Sequence, residues 1–234
     1  MKLWGRLLVV MLAAVLSTSV LPSALPAFAT DSSSASISLY ANRSVYLAGD
    51  TAKITVVVYG AGSGKYLRVT LTRANGTSTV VNSYAYNDTF RRDFTMYVDS
   101  TVKAELIDTD KTTVLDTKSK TLPVRAVVGS DIVGYYQQSG SYAVFAKGSS
   151  PSFRSATLPP RKYRCLKHEI WRAYSSGWKV VSLSACKVEN SQGVVTWQWA
   201  GTHPSGVHFR VRARFFGDSL NHANSGTFIY FRFK

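Results

Sequence analysis

The 234-residue sequence has few cysteines and few acidic residues, and both shortages restrict what it can be. Its two cysteines, Cys165 and Cys186, are too few for a disulfide-rich scaffold or for a zinc site made of four thiolates. Only 13 Asp and Glu residues stand against 28 Lys and Arg residues, which gives a formal net charge of +15. A chain this basic attracts polyanions, although its charge says nothing about its fold.

Long apolar runs are missing after residue 29, where no stretch approaches the 18 or so residues of a membrane-spanning helix. Before that point, Lys2 and Arg6 precede an apolar run at 7–16, and the stretch ends in Ala27-Phe28-Ala29. This order is typical of a secretory signal peptide. We therefore predict a signal peptide at 1–29, an extracellular mature chain and no transmembrane anchor.

The sequence also has no recognisable catalytic or cofactor motif. It contains no G-x-S-x-G elbow and no H-E-x-x-H pair, and its histidines and second-half carboxylates are widely scattered. Residues 60–65 are glycine-rich, but their spacing differs from that of a phosphate-binding loop, so we interpret them as a hairpin loop. These absences predict a protein that is not an enzyme, with no cofactor, no metal site and no specific nucleic-acid motif.

Helical periodicity is absent, and short alternating segments take its place. Turn-rich breaks recur every 8–12 residues, which is typical of a β-sandwich. In the first half the predicted strands are 36–40, 53–59, 66–73, 78–84, 90–98, 102–108 and 112–122. We predict an all-β antiparallel sandwich at 36–125, preceded by a flexible Ser-rich leader at 30–35.

The second half repeats this style and is much more basic. Residues 126–234 hold 14 Lys and Arg against 4 Asp and Glu. The predicted strands are 141–146, 163–172, 178–188, 194–199, 208–216 and 227–233. A second, basic sandwich is predicted at 140–234, and residues 126–139 are interpreted as either a linker or a first strand region.

The two cysteines lie symmetrically about residues 175–176. If those residues form the tip of a hairpin, Cys165 faces Cys186 at a separation that a disulfide can bridge. The same register predicts the pairs Leu166–Ala185, Ile170–Val181 and Trp171–Val180. Because an exported chain meets oxidising conditions, we predict a structural disulfide between the cysteines.

A candidate binding surface follows from the alternation of residues 208–216. Phe209, Val211, Ala213 and Phe215 fall on one side of the strand, and three arginines fall on the other. If the last strand and the cysteine hairpin flank this strand, their outer sides join it in one basic, aromatic surface. The candidate anion-binding residues are Arg210, Arg212, Arg214 and Arg232, and the candidate aromatic platform consists of Trp171 and Tyr230.

At roughly 140–234 the sequence resembles the Ig-like domains of secreted actinobacterial proteins. The matching residues are Cys165-Leu166, Gly177-Trp178, Cys186, 193–195, 209–213, 216–218, Asn221 and 230–233. Phe209 stands where that family usually has Tyr, which removes a hydroxyl that could tie a strand corner. The first half resembles a generic bacterial Ig-like domain, with 46–50 as the turn before its second strand. The resemblance implies a spacer, an adhesive module or an envelope-associated part.

These observations lead to one principal hypothesis and two alternatives. The principal hypothesis is a secreted, non-enzymatic bacterial module that associates with an anionic envelope polymer or polysaccharide. The first alternative is a carbohydrate-binding module that uses aromatic platforms, with Trp197 and Trp199 as further candidates. The second is an extracellular enzyme or enzyme inhibitor.

Overall fold

The structure is a computed structural model that describes residues 34–86, 88–200 and 203–234. The predicted signal peptide at 1–29 and residues 30–33 of the predicted leader lie outside these ranges. The described chain is all-β, as the sequence predicts, and its sheets are mainly antiparallel. The parallel pairs are Tyr46–Leu47 with Val124–Arg125 and Tyr142–Phe145 with Ile229–Phe233. Among these residues there is no helix long and apolar enough to span a membrane.

The first half forms a sandwich of two main sheets. Its strands are β1 (Ser36–Ala41), β2 (Tyr46–Leu47), β3 (Thr51–Tyr59), β4 (Lys65–Arg73), β5 (Ser78–Ala85), β6 (Thr89–Thr95), β7 (Ser100–Ile107), β8 (Val114–Leu122) and β9 (Val124–Arg125). One sheet has the order β1-β3-β6 and the other β5-β4-β7-β8, and β2 pairs in parallel with β9. The seven predicted strands are therefore confirmed as β1 and β3 to β8.

Alternation along the strands builds the core of this half. In β3, Ile54 and Val56 are buried while their neighbours are not, and in β4 the same holds for Val69 and Leu71. These side chains belong to one hydrophobic cluster, whose buried members lie between Ile37 and Val124 in the sequence. Each fully buried aliphatic side chain contributes roughly 1.5–3 kcal/mol relative to exposure.

The glycine-rich residues 60–65 do not form a hairpin, so that prediction is wrong. They connect β3, in one sheet, to β4, in the other, and these two strands do not pair with each other. Gly60, Gly62 and Gly64 all have positive φ, which allows this short connection to reverse between sheets.

The second half consists of a three-stranded sheet that faces a larger one. Its strands are β10 (Val127–Val133), β11 (Gln137–Ser139), β12 (Tyr142–Phe145), β13 (Ser152–Leu158), β14 (Cys165–Tyr174), β15 (Gly177–Leu183), β16 (Lys187–Val188), β17 (Val194–Gln198), β18 (His208–Phe215), β19 (Asn224–Ser225) and β20 (Ile229–Phe233). The small sheet has the order β10-β13-β17. The large sheet has the order β11-β12-β20-β18-β14-β15, with β16 on β14 and β19 on β18.

The disulfide between Cys165 and Cys186 is present, with the two Cα atoms 5.4 Å apart. The hairpin turns at residues 175–176 and pairs Trp171 with Val180 as predicted. A bulge between Ile170 and Trp171 then shifts the register, and Cys165 lies opposite Val188. The predicted pairs Leu166–Ala185 and Ile170–Val181 are therefore wrong.

Ser184 lies just beyond this shift, continues the new register and bonds the backbone of His168 on the adjacent strand. Its N–H donates to the carbonyl of His168 at 2.9 Å, and its hydroxyl oxygen accepts the N–H of His168 at the same distance. The disulfide nevertheless closes a loop with a sequence separation of 21 residues. A loop of that length stabilises the fold by about 3 kcal/mol in the chain-entropy model.

A polar belt, formed by Ser130, Ser155 and His168, runs through the interior of the second half. The Ser155 hydroxyl lies 2.9 Å from the Ser130 hydroxyl and 2.9 Å from His168 Nε2. His168 is completely buried, in the same strand row as Leu166 and Ile170. The belt lies between two separate hydrophobic clusters, so this interior is not one continuous apolar core.

The two halves meet at a hydrogen-bonded junction centred on Asn221, which is fully buried. Its side-chain amide donates to the carbonyl of Tyr97 at 2.8 Å and to that of Val124 at 3.4 Å, both in the first half. Its carbonyl oxygen accepts a hydrogen bond from Arg164, whose Nε also lies 2.9 Å from Asp218. One amide side chain thus links the backbone of one half to the buried Arg164 of the other, which pairs with Asp218.

Replacing Asn221 with Ala should destabilise the protein by about 2–3 kcal/mol, because buried carbonyls and the Arg164 guanidinium lose their partner. The free energy of unfolding in urea measures the effect. Asn82→Ala, at an exposed position, is the control and should change stability by less than about 0.5 kcal/mol. Equal effects from the two substitutions would contradict the role of the junction.

The buried imidazole of the polar belt should make stability depend on pH. Burial lowers the pKa of His168 to about 4, whereas a histidine in an unfolded chain titrates near 6.5. As the pH falls through that window the unfolded chain gains a proton that the folded chain does not, so stability decreases, by up to about 1.4 kcal/mol per pH unit. Between pH 6.5 and pH 4, His168→Gln should lose less free energy of unfolding, measured in urea, than the wild type. The same dependence of stability on pH in both proteins would refute the role of His168.

Candidate anion-binding face

The order of the large sheet places β18 between β14 and β20, as the predicted surface requires. Arg210 lies opposite Trp171 on one side and Tyr230 on the other, and Arg212 lies opposite Glu169. We call the outward side chains of these three strands the cationic face, which consists of Lys167, Glu169, Trp171, Arg210, Arg212, Arg214, Tyr230 and Arg232.

Alternation along β18 separates this face from the interior. Phe209, Val211, Ala213 and Phe215 are buried, and each arginine between them is half-buried. The arginines therefore cannot turn inward without displacing apolar side chains from a packed core. Their aliphatic stems cover the sheet while their guanidinium groups stand at its surface.

Aromatic rings surround the guanidinium group of Arg210. Its Cζ atom lies 3.9 Å from the ring centre of Phe228, 4.6 Å from that of Trp178 and 5.1 Å from that of Trp171. Arg212 lies 4.7 Å from the Phe228 ring. Each contact of this kind contributes about 0.5–1 kcal/mol at exposed sites and more where water is excluded, so the rings hold the cations in fixed positions.

Glu169 forms ion pairs with two of the arginines. Its Oε2 atom accepts a hydrogen bond from Arg212 Nε at 2.8 Å, and its Oε1 atom accepts one from Arg214 Nη1 at 2.6 Å. The Glu169 side chain is 8% exposed, whereas that of Arg214 is 41% exposed. The carboxylate therefore lies beneath the cations, and Arg214 still presents donors to solvent.

The pKa of Glu169 reflects both its burial and its partners. Burial raises the pKa, but the hydrogen bonds and charges of Arg214 and Arg212 outweigh it, so the pKa lies below its usual value. Glu169 is therefore ionised at neutral pH. It neutralises one of the five positive charges of the cationic face, and the face keeps a net positive charge.

Arg232 lies at the opposite side of the face from Lys167. Its Nη2 atom donates to the hydroxyl of Ser139 at 3.1 Å. Lys167 Nζ lies 5.3 Å from the ring of Phe216, which Arg214 also covers at 5.2 Å. The four predicted arginines thus share one sheet surface, but each also contacts a ring, a hydroxyl or a carboxylate of the protein.

The predicted aromatic platform is largely covered by these arginines. Arg210 and Arg212 both lie over the Trp171 ring, and the Trp171 Nε1 atom is buried without a hydrogen-bond partner among the described residues. Tyr230 packs its ring against Trp178 at 5.9 Å and Tyr142 at 5.7 Å. Trp171 therefore presents no bare, flat surface, and Tyr230 has two aromatic neighbours.

Trp197 and Trp199 do not belong to this face. Both pack against the hydrophobic cluster between the sheets. The Trp197 ring stacks on His168 at 5.4 Å, and the Trp199 ring stacks on His203 at 3.8 Å. These tryptophans therefore contribute mainly to the interior.

Trp178 and Phe216 also contact the cations of this face, and neither is among the residues predicted for it. Phe216 is the last residue of the predicted strand 208–216 and shares the even numbering of the three arginines, so the alternation already places it outward. Trp178 pairs with Ala173, two residues from Trp171, so the hairpin register places Trp178 on the same side of the sheet as Trp171. In both cases the pattern indicated the side of the sheet but not the contact with a cation.

This arrangement is suited to binding an anion rather than to catalysis. It offers half-exposed guanidinium donors at fixed positions, and its single carboxylate already has two partners. Within the described ranges, no three His, Cys, Asp or Glu side chains converge in a way that could hold a metal ion. Guanidinium groups bind carboxylates and phosphates through paired, planar hydrogen bonds.

Comparisons with known proteins give fold likenesses alone. No protein-family model and no curated protein sequence matches the chain. A tetra-tandem repeat from the extending region of a large adhesion protein is 10% identical and covers 84% of this chain with a TM-score of 0.41. Red sea bream transglutaminase is 10% identical over 85% with a TM-score of 0.35, and a Corynebacterium diphtheriae protein described as membrane-anchored is 11% identical over 86% with a TM-score of 0.33.

This chain spans 48%, 31% and 58% of the lengths of those three chains, respectively. Because the TM-scores are all below 0.5, these likenesses support no argument about activity or partners.

Glu169→Gln should lower the free energy of unfolding by about 2 kcal/mol at pH 7, because two charge-assisted hydrogen bonds become weaker. Since the native pKa of Glu169 is lowered, its stabilisation is present above the unfolded-state pKa and is lost as the pH falls through the native value. The difference between wild type and variant should therefore shrink at acidic pH in urea unfolding. Asp93→Asn, an equal charge change at an exposed site, is the control and should have little effect on the free energy of unfolding. A stability difference between wild type and Glu169→Gln that stays constant at every pH would count against the ion pairs.

Proposed function

We propose that the protein is a non-enzymatic extracellular module that associates with an anionic polymer of the cell envelope through the cationic face. One observation carries this proposal. Four arginines and one lysine stand on one sheet surface around a single buried carboxylate, with rings holding the guanidinium groups in place. An extracellular location is supported by the predicted signal peptide and by the disulfide.

Prior ordering of the arginines favours binding. A free arginine side chain loses conformational freedom when a ligand immobilises it, which opposes association. Arg210 between three rings and Arg212 against Glu169 have lost much of that freedom already. A ring covers the flat side of a guanidinium group, whereas an anion approaches its N–H edge, so both contacts can exist together.

Charge outside the face strengthens the attraction. Residues 126–234 hold 14 basic and 4 acidic side chains, so the whole half is positive. Such a surface raises the local concentration of a polyanion before contact. The attraction acts over about 8 Å at physiological ionic strength, so binding should weaken steeply as salt increases.

The alternatives receive less support at this face. A carbohydrate-binding platform needs a free ring surface, and arginines cover that of Trp171. An enzyme needs a titratable group that can exchange protons with a substrate, and the Glu169 carboxylate is held by two arginines. The proposal therefore assigns no catalytic step to these residues.

Retention on dextran sulfate at low salt, compared with uncharged dextran, tests the proposal. The test variant replaces Arg210, Arg212, Arg214 and Arg232 with Gln, together with Glu169→Gln so that no carboxylate is left unpaired. This removes three net positive charges while keeping much of the side-chain volume. We expect the wild type to elute at a salt concentration at least about twofold higher than the variant, because several guanidinium–anion contacts are lost.

The matched control replaces three exposed cations of the first half, Lys53, Arg91 and Arg92, with Gln, an identical change in net charge. It should elute close to the wild type. A second variant with Lys at the four arginine positions keeps the charge but loses the paired donors, and it should elute in between. Retention that follows net charge alone, irrespective of which half is changed, would refute the assignment to the cationic face.

A further inference from the structure

A second surface with binding character lies on the first half, on the outer side of the sheet β5-β4-β7-β8. Tyr66 in β4 lies opposite Tyr84 in β5 and opposite Ile107 in β7. The next outward pair along the same strands is Arg68 with Asn82. We call this site the tyrosine groove, formed by Tyr66, Arg68, Asn82, Tyr84, Ile107 and Lys111.

Aromatic rings form its apolar part. The Tyr66 and Tyr84 rings are 5.2 Å apart with a tilt of 36° between their planes. Tyr84 is 60% exposed, so its ring is accessible from solvent, and Ile107 beneath is buried. Unlike for Trp171 in the cationic face, no cation of the described residues lies over the Tyr84 ring, whose ring neighbours are Tyr66 and Tyr86.

Polar groups surround these rings on several sides. A groove of about 230 Å³ is lined by Tyr66, Arg68, Asn82, Ile107 and Lys111. This volume is below the usual range for a whole drug-sized ligand, and it suits a single ring-sized group. The Asn82 amide can both donate and accept hydrogen bonds, and the two cations can donate.

The charges of the lining are positive and poorly neutralised. Arg68 lies 3.8 Å from Glu105, but that carboxylate is closer to Lys103, at 2.6 Å. Lys111 lies over the Tyr66 ring, 5.1 Å from its centre. Asp110, in the same loop, accepts the backbone N–H groups of Thr112 and Thr113, so it is directed at its own turn.

A ligand for this site therefore needs an apolar flat side, polar edges and a negative charge. A pyranose ring presents a patch of C–H groups to an aromatic ring and hydroxyl groups at its rim. A carboxylate on that ring complements Arg68 and Lys111. We infer that the tyrosine groove binds a hexuronate residue of an acidic polysaccharide.

Binding of one such ring is weak. A ring-sized ligand has few atoms, so the dissociation constant of a single hexuronate ring should be about 1 mM. A polysaccharide chain with repeated uronates would compensate by presenting many rings to the same groove. This inference concerns the first half and does not rest on the function proposed for the cationic face.

The test is an NMR titration of the full chain with trigalacturonate and, separately, with its methyl ester, which keeps the rings and removes the charge. We expect the acid to bind and Tyr84→Ala to weaken it at least about tenfold, because the ring contact is lost. Lys111→Gln should weaken the acid severalfold and leave the ester nearly unchanged. Tyr40→Ala removes an equally exposed tyrosine, 53% exposed, from the other sheet and is the matched control.

The same titration with the cationic-face variant separates the two surfaces. Unchanged affinity in that variant, with loss in Tyr84→Ala, supports the groove. Loss in the cationic-face variant without loss in Tyr84→Ala shows that uronates bind the other surface and overturns the inference. Equal binding of acid and ester, or no binding of the acid up to about 20 mM, also overturns it.

Discussion

The structure depends above all on the alternation of side chains along β18. Because successive residues of a strand point to opposite sides of a sheet, one eight-residue segment supplies both a row of buried apolar side chains and a row of arginines. A shift of one residue would place guanidinium groups in the core, so the register of the central strand is strongly fixed. The interior and the cationic face are therefore two results of one constraint, and neither can change without the other.

Glu169 resolves the electrostatic problem that this constraint creates. Three arginines on alternate positions of one strand repel one another, and a nearby carboxylate with two partners reduces that repulsion. The rings of Phe228, Trp178 and Trp171 stabilise the remaining cation. The same contacts that make the surface stable also order its arginines, so folding and the preparation of a binding surface coincide here.

The sequence predicted most of this fold because most strands bury alternating apolar residues. It did not predict β13, whose inward row includes Ser155 and Thr157, because the polar belt makes these positions read as loop. The disulfide was predicted from the near-symmetry of the hairpin, although Cys165 lies opposite Val188 rather than Cys186. The bulge beside Ile170 was not predicted, because no sequence pattern marks it.

Alternation likewise predicted which side of the sheet holds the arginines. It could not predict that Arg210 lies among three rings or that Glu169 binds two arginines, because these contacts depend on the order of strands and on side-chain conformations.

The junction at Asn221 also has consequences for how the molecule meets a long ligand. If a polymer engages one surface as proposed, the hydrogen bonds that join the halves keep its next segments at high effective concentration near the other. Avidity then depends on whether the polymer can bridge the gap, so chain length as well as chemistry becomes a determinant of selection.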